Sequence, residues 1–270
     1  MTPKTATLVK RGAIALAAAI ALYLGLAYVA LPMAWTHHER QPGLADKPMV
    51  TRAPGGIPGD PINIGLVGSR DDVLRAMQAA GWYPADPVTL SSSLKIIGSV
   101  LLNRPDHTAP VSKLMYDGRR EDLAFELSEG KSARRRHHIR LWLVMNNGVE
   151  NRPVWLGADT FDQGIGLSHD TGQVTHRIAP DIDDERAFLA TSLTHAGMVQ
   201  ATYQVSGAGP TLNGRNGEGN PYRTDGEIQV LDLVPNGQVR TAPPVAMDTP
   251  PLSQFSDAMV HAAASALQAH

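Results

Sequence analysis

The sequence contains no cysteine, few aromatic residues and no marked excess of one charge. Without cysteine the chain has no disulfides, no thiolate metal sites and no thiol nucleophile, a composition that suits an oxidising compartment. The 24 basic and 26 acidic residues leave a net charge of −2, so no overall positive field attracts the chain to nucleic acid. Nucleic-acid binding is therefore not expected.

The longest uncharged run lies near the N-terminus, at residues 12–35, and is rich in Ala, Leu, Ile and Val. A helix of about 20 such residues matches the hydrocarbon core of a bilayer, so the run predicts a transmembrane helix. A cleaved signal peptide is the alternative, although its apolar region is usually only about 7–15 residues long. Lys4, Lys10 and Arg11 precede the run, and the positive-inside rule then places residues 1–11 in the cytoplasm and the remainder outside it.

The rest of the chain is long enough for one sizeable domain. Residues 36–58 are rich in Pro and Gly and predict a linker, or a strap lying on the domain. Residues 59–240 mix strand-like and helix-like segments, which predicts an α+β fold with one mixed or mostly antiparallel sheet and flanking helices. Residues 241–270 are expected to form a Pro-rich connection and a terminal helix at 252–268.

Three helices are predicted within the domain. Ser69 is a credible N-cap for an amphipathic segment that stops at Gly81, and Asp181 is one for a segment that stops at Gly197. A leucine-rich stripe at residues 90–101 predicts the third. The Gly-rich and Asn-rich segment at 206–225 is long for a loop in a compact domain, which indicates function or disorder; its spacing does not match a calcium loop.

A basic stretch in the middle of the chain is the main candidate site, Arg134-Arg135-Arg136-His137-His138-Ile139-Arg140-Leu141-Trp142. From His137 onward the residues alternate as in a strand with Ile139, Leu141 and Leu143 on the core face. His138 and Arg140 then point away from the core, toward a cleft and free to act. The plainer interpretations are a solvated turn at a strand start, or contact with anionic lipid head groups.

A second polar stretch contains His169, Asp170 and His176. Imidazoles and a carboxylate can bind a divalent metal, and histidines with arginines can bind phosphate, but neither pattern has diagnostic spacing, and each histidine alone is typical of a surface or core residue. The candidate catalytic residues are His138, His169, Asp170 and His176; the candidate ligand-binding residues are Arg135, Arg136, His137, His138, Arg140, Thr171 and Gln173; and His138, His169 and His176 are candidate metal ligands. No particular cofactor is indicated.

Several short motifs resemble the LssY C-terminal domain family. They include Gly59-Asp60-Pro61-Ile62-Asn63, Leu66-Val67-Gly68-Ser69, Ala80-Gly81-Trp82, Asp122-Leu123-Ala124-Phe125, the segment from Arg135 to Trp142, Pro153-Val154-Trp155-Leu156-Gly157, and Gly166-Leu167-Ser168-His169 with Thr171-Gly172-Gln173-Val174-Thr175-His176. The resemblance covers residues 59–197. It implies a bacterial domain that some relatives join to multi-span membrane regions with a lipid-phosphatase-like module. This chain shows one span before the domain, so that activity is not carried over.

Together these features predict a single-pass bacterial inner-membrane protein with an extracytoplasmic domain at the cell envelope. We expect an accessory or anionic-ligand-binding domain, with the membrane and an anionic lipid or an envelope protein as partners. A metal- or histidine-dependent hydrolase acting on a phosphate-containing lipid or glycan is one alternative. A docking module of a secretion or envelope complex is another. Neither the ligand nor the oligomeric state follows from the sequence.

Overall fold

The computed structural model describes residues 3–31, 41–44, 46–53, 56–85, 114–130, 135–167, 174–205 and 210–247. The helices predicted at 90–101 and 252–268 lie outside these residues. The N-terminal helix α1, Pro3–Gly25, continues as a π-helical segment, Leu26–Ala30. Residues Val9–Ala30 are long and apolar enough to cross a membrane, and none of their most apolar window is buried within the chain. The predicted helix is therefore present and could span a bilayer.

A separate compact unit, Gly43–Thr249, holds the rest of the fold. Its helices are α2, Arg70–Ala79, and α3, Ile182–His195. Its strands are β1 Val50–Arg52, β2 Pro58–Pro61, β3 Ile64–Val67, β4 Tyr83–Pro84, β5 Leu123–Ser128, β6 Arg136–Met145, β7 Val154–Leu167, β8 Val174–Ile178, β9 Val199–Val205, β10 Asn213–Arg215, β11 Pro221–Arg223, β12 Ile228–Leu233 and β13 Val245–Ala246.

Within the described residues, nine strands form one mixed sheet in the order β13-β9-β12-β3-β7-β6-β5-β4, with β8 paired to β7. The pairs β12–β3 and β13–β9 are parallel and the other neighbours are antiparallel. This confirms the predicted α+β class. Both faces of the sheet are buried: α2 and α3 pack on one face, and a second cluster that includes Leu44, Ile62 and Trp142 packs on the other.

Local sequence signals set the ends of both domain helices. The Ser69 hydroxyl accepts a hydrogen bond from the Asp72 backbone N–H, and the Asp72 carboxylate accepts one from the Ser69 N–H, which forms a capping box. Asp181 caps α3 in the same way through the Asp184 N–H. Gly81 and Gly197 follow the helices with φ of 83° and 71°, a region that glycine adopts without steric cost. Both cap predictions are confirmed.

Two segments without predicted structure form short strand pairs. The segment expected to be a linker or strap contains β1 and the first residue of β2, the strand that pairs with β1, and its Leu44 is fully buried. Leu44 and β1 lie within the compact unit Gly43–Thr249. The Asn-rich segment 206–225 contains the hairpin β10–β11. In its turn, the Asn216 side-chain oxygen accepts hydrogen bonds from the backbone N–H groups of Glu218 and Asn220.

Asn63 fills the gap between β3 and β8, which border different parts of β7. Its side-chain oxygen accepts a hydrogen bond from the Asp159 N–H, and its amide group donates to the carbonyls of Asp159 and Ile182. Because Ile182 is the first residue of α3, the same side chain continues the ladder of β7 and ties the start of α3 to it. The Asn63 side chain therefore links the start of α3 to β7, the neighbour of the strand β6 that carries the basic stretch.

Candidate functional site

Strand β6 divides the basic stretch between the two faces of the sheet. His137 contacts the aromatic residues Trp82 and Phe188 on the helix side, where Ile139 and Leu141 belong to the core beneath α2 and α3. Arg136, His138 and Arg140 take the alternating positions, and Trp142 continues their row into the second core cluster. The predicted alternation is confirmed. The stretch therefore supplies two different polar environments.

Arg136 lies between two acidic side chains of neighbouring strands. Its Nη1 is 3.1 Å from a Glu126 oxygen on β5, and its Nε is 3.0 Å from an Asp162 oxygen on β7. All three side chains are buried. Burying charges is costly unless they are paired, so this guanidinium neutralises carboxylates that belong to the fold.

Arg140 is also buried and paired. Its Nη1 is 3.3 Å from an Asp60 oxygen on β2, and the Asn216 amide donates to the other Asp60 oxygen at 2.9 Å. Burial raises the pKa of Asp60, against the opposing influence of Arg140 and Asn216. This network joins β6 to β2 and to the turn between β10 and β11.

His138 is buried too, between Glu126 and Thr160 in the strand register. The expectation that His138 and Arg140 lie free beside a cleft is therefore not met, since each is only 4% exposed. The physical reason is that the second face of the sheet is covered by its own core cluster and by the polar contacts of Asp60.

Arg135 is the solvent-facing arginine of the described stretch. Its side chain is 53% exposed, and its Nε is 2.6 Å from an oxygen of Glu129, which is itself about half exposed at 49%. The guanidinium carbon lies 5.5 Å from the centre of the Phe161 ring, within the range of a cation–π contact. The Arg135 guanidinium is thus exposed to water and lies near the Phe161 ring.

His137 also contacts Phe161, with 4.7 Å between the ring centres. Its ring stacks on Phe188 of α3 at 3.9 Å with an angle of 7° between the planes. Its Nδ1 lies 2.7 Å from an oxygen of Glu185, and we assign the proton to Nδ1 because the carboxylate can only accept. Nε2 has no hydrogen-bond partner among the described residues, and the side chain is 13% exposed. Glu185 therefore binds Nδ1, and Nε2 is open to a ligand.

Asp159, on β7, is paired with Ile139 of β6 in the strand register and is fully buried. Neither of its carboxylate oxygens has a hydrogen-bond partner in the part of the chain that the structure describes. Burial, and secondarily the charge of Glu185, raise the pKa of Asp159 well above its usual value. A buried carboxyl without a donor favours its neutral form.

The second polar stretch is described only in part. His169, Asp170, Thr171 and Gln173 lie outside the described residues. The backbone of His176 pairs with Ile165 through the β7–β8 ladder, which places it two strands from β6, and its side chain is not described. In the part of the chain that the structure describes, no group of three or more His, Cys, Asp or Glu side chains is placed to hold a metal. The metal hypothesis for His138, His169 and His176 stays a prediction.

A family comparison agrees with the motifs in the sequence. The family model described as LssY C-terminus matches residues 44–228, which is more than half of the chain. The chain belongs to the LssY C-terminus family. No match was found among curated proteins, and none among solved structures.

The LssY C-terminus match begins inside the segment that the sequence predicted as a linker and ends at the first residue of β12. It includes β6, β7 and α3, and so contains Arg135, His137 and Glu185. The apolar N-terminal helix precedes the matched region. The polar contacts described above therefore belong to the LssY C-terminus domain itself.

Proposed function

We propose that this LssY C-terminus protein is a membrane-anchored accessory domain that binds an anionic group of an envelope lipid or glycan. The observation that carries the proposal is that Arg135 and His137 both contact the Phe161 ring. Both side chains reach solvent, and His137 presents an open ring nitrogen. Arginine donates strong charge-assisted hydrogen bonds to phosphate and carboxylate oxygens. With its proton on Nδ1 the neutral His137 ring is an acceptor at Nε2, so Nε2 contacts an anion either by accepting from a protonated phosphate oxygen or by donating when both ring nitrogens carry protons.

The buried members of the stretch contribute little attraction for an anion. The carboxylates of Glu126 and Asp162 face Arg136, and that of Asp60 faces Arg140. Their negative charges offset the two guanidiniums. Arg135 differs because its partner Glu129 is exposed, and an exposed ion pair contributes only about 0–1 kcal/mol. An incoming anion can therefore replace Glu129 at small cost.

Titration with inorganic phosphate tests the proposal. The full chain is placed in nanodiscs of phosphatidylcholine, a lipid without net charge, and binding is measured by calorimetry. We expect Arg135→Ala to weaken binding about tenfold or more, the loss of one charge-assisted hydrogen bond. Arg223→Ala is the matched control, because Arg223 is 65% exposed and its Nε is 3.0 Å from an Asp181 oxygen. Equal losses in both variants, or no saturable binding by the unmodified chain, contradict the proposal.

The proposed topology has residues 1–11 in the cytoplasm and the domain on the outer side of a bacterial inner membrane. The positive residues before the apolar helix support this orientation. An alkaline phosphatase reporter fused after His270 is expected to be active, because that enzyme requires an extracytoplasmic location. An inactive fusion, with a cytoplasmic reporter active at the same point, reverses the orientation.

One observation favours a histidine-dependent hydrolase as a second candidate. Glu185 holds Nδ1 of His137 and leaves Nε2 open, as a carboxylate does for a general base. Release of p-nitrophenol from p-nitrophenyl phosphate tests this candidate. This candidate predicts turnover by the unmodified chain and its loss in His137→Gln, and the absence of turnover by the unmodified chain contradicts it. Metal analysis of the same preparation shows whether a stoichiometric ion accompanies the activity.

A further inference from the structure

An open cleft lies beside the proposed anion site, on the outer surface of the two domain helices. It runs between the end of α2 and the second half of α3, and its volume is about 440 Å³, within the range typical of small-molecule sites. The small side chains of Ala79, Ala80 and Ala196 line it together with Phe188, and Thr191, Ser192 and His195 supply the polar part of its lining. The small side chains leave space, and Phe188 supplies an apolar wall.

Phe188 connects the cleft with the anion site. Its ring stacks on the His137 ring at 3.9 Å, and the same residue lines the cleft. His137 in turn contacts Phe161, which supports Arg135. Arg135, Phe161, His137 and Phe188 thus form a continuous strip that leads from an exposed guanidinium to the cleft. Phe188 remains 39% exposed, so the strip is not sealed by the fold.

We infer that the ligand is an anionic amphiphile, a phosphate group carrying an alkyl chain, with the phosphate at Arg135 and His137 and the chain in the cleft beside Phe188. This inference rests on the proposed anion-binding function and adds the chemical class of the ligand. The exposed guanidinium of Arg135 lies at one end of the strip. The cleft at the other end is lined by Ala79, Ala80, Ala196 and Phe188 together with the polar side chains of Thr191, Ser192 and His195, and its apolar part is the surface that an alkyl chain would contact. A free anion uses the first part alone, whereas a phosphate with an alkyl chain uses both.

Three probes separate the two parts of the site in full-length protein held in phosphatidylcholine nanodiscs: inorganic phosphate, n-hexyl phosphate and 1-hexanol. Empty nanodiscs correct for partition of the probes into lipid. We expect n-hexyl phosphate to bind at least about tenfold more tightly than inorganic phosphate, because burial of its methylene groups adds to the affinity. Hexanol, which lacks the charge, is expected to bind more weakly than n-hexyl phosphate.

Cleft-filling variants supply the decisive comparison. Thr191→Trp places an indole in the cleft from α3, and Ala79→Trp does so from α2 in case the first variant folds poorly. Ala187→Trp is the control, because Ala187 is an exposed residue of α3 that does not line the cleft. We expect the filling variants to bind n-hexyl phosphate no better than inorganic phosphate, while Ala187→Trp keeps the difference.

The outcomes distinguish the two proposals. Equal affinity for phosphate and n-hexyl phosphate in the unmodified chain overturns the amphiphile inference and leaves the anion site in place. So does an unchanged preference for n-hexyl phosphate in well-folded cleft-filling variants. Absence of binding by both phosphates overturns the anion-binding proposal, and the inference with it.

Discussion

Glu185, in the first turn of α3, lies 2.7 Å from Nδ1 of His137 on β6, although the two residues are 48 positions apart in the sequence. Both side chains are largely buried, with exposures of 6% and 13%. The contact fixes the orientation of the imidazole ring, so that Nε2 points away from Glu185. It also ties the N-terminal end of α3 to the sheet.

The Glu185–His137 contact is expected to contribute measurably to stability. Glu185→Ala removes the acceptor and leaves Nδ1 without a partner in a mostly buried site, a loss of about 1–3 kcal/mol in the free energy of unfolding. Glu185→Gln keeps an acceptor oxygen, so its loss should be smaller. Urea unfolding of both variants can be followed by tryptophan fluorescence, since the Trp82 ring lies 6.1 Å from that of His137. Equal stability of Glu185→Ala and the unmodified chain contradicts this role.

Adjacent arginines of the stretch should respond very differently to truncation. Arg136→Ala leaves the buried carboxylates of Glu126 and Asp162 without the guanidinium that links them, and breaking a buried pair costs about 3–5 kcal/mol. Arg135→Ala removes an exposed side chain, and a change within about 1 kcal/mol is expected. Urea unfolding midpoints measure both. Similar losses in the two variants contradict the division of the stretch into buried and exposed parts.

Asp72 predicts a defined acid dependence of stability. Burial acts to raise its pKa, but hydrogen bonds from Ser69, Arg75 and Arg152 prevail and lower the pKa from 3.8 to about 2. A lowered folded-state pKa stabilises the fold above the unfolded-state value, and this stabilisation is lost as the pH falls through the folded-state value. Asp72→Asn should therefore be less stable near pH 7, with a pH-dependent part of about 2 kcal/mol.

The stability difference between the unmodified chain and Asp72→Asn should shrink between about pH 4 and pH 2. Unfolding by urea at several pH values measures it. Asp71→Asn, at the preceding and exposed position, is the control for loss of a charge in the first turn of α2. A constant difference across this pH range contradicts the assignment of the stabilisation to the Asp72 carboxylate.

Asp159 predicts a pH dependence of stability opposite to that of Asp72, because its pKa is raised and not lowered. Its raised pKa means that its contribution is fully present below the unfolded-state pKa, whose usual value is 3.8, and is lost as the pH rises toward the folded-state value. Asp159→Asn does not ionise, so its stability relative to the unmodified chain should improve as the pH is raised from about 4 to 8. Urea unfolding across this range is the measurement. A relative stability that does not change with pH contradicts the raised pKa.

Features with local causes could be predicted from the sequence. The caps of α2 and α3 depend on Ser69 and Asp181 with donors three residues away, and the faces of β6 follow from alternation along one strand. The apolar N-terminal helix needs only composition and length. In each case the residues that determine the structure lie within one element.

The polar contacts of the site could not be predicted in the same way, because their partners are distant in sequence. Asp60 is 80 residues from Arg140 and 156 residues from Asn216, and no pattern along the chain marks these pairs. The buried face of β6 looked available because a strand with one apolar face usually exposes the other. One sequence signal was present: Asp159 follows Trp155 and Gly157 in the helix-facing row of β7, and an acidic residue in such a row indicates a special environment.

The most direct test of the anion site is the response of the His137 ring to phosphate. Full-length protein labelled with ¹⁵N-histidine can be titrated with inorganic phosphate in phosphatidylcholine nanodiscs, with the His137 signals assigned by their loss in His137→Gln. The proposed anion site predicts a saturable shift of the His137 Nε2 signal in the unmodified chain and a much weaker response in Arg135→Ala. Saturable phosphate binding that leaves the His137 signals unmoved would contradict it.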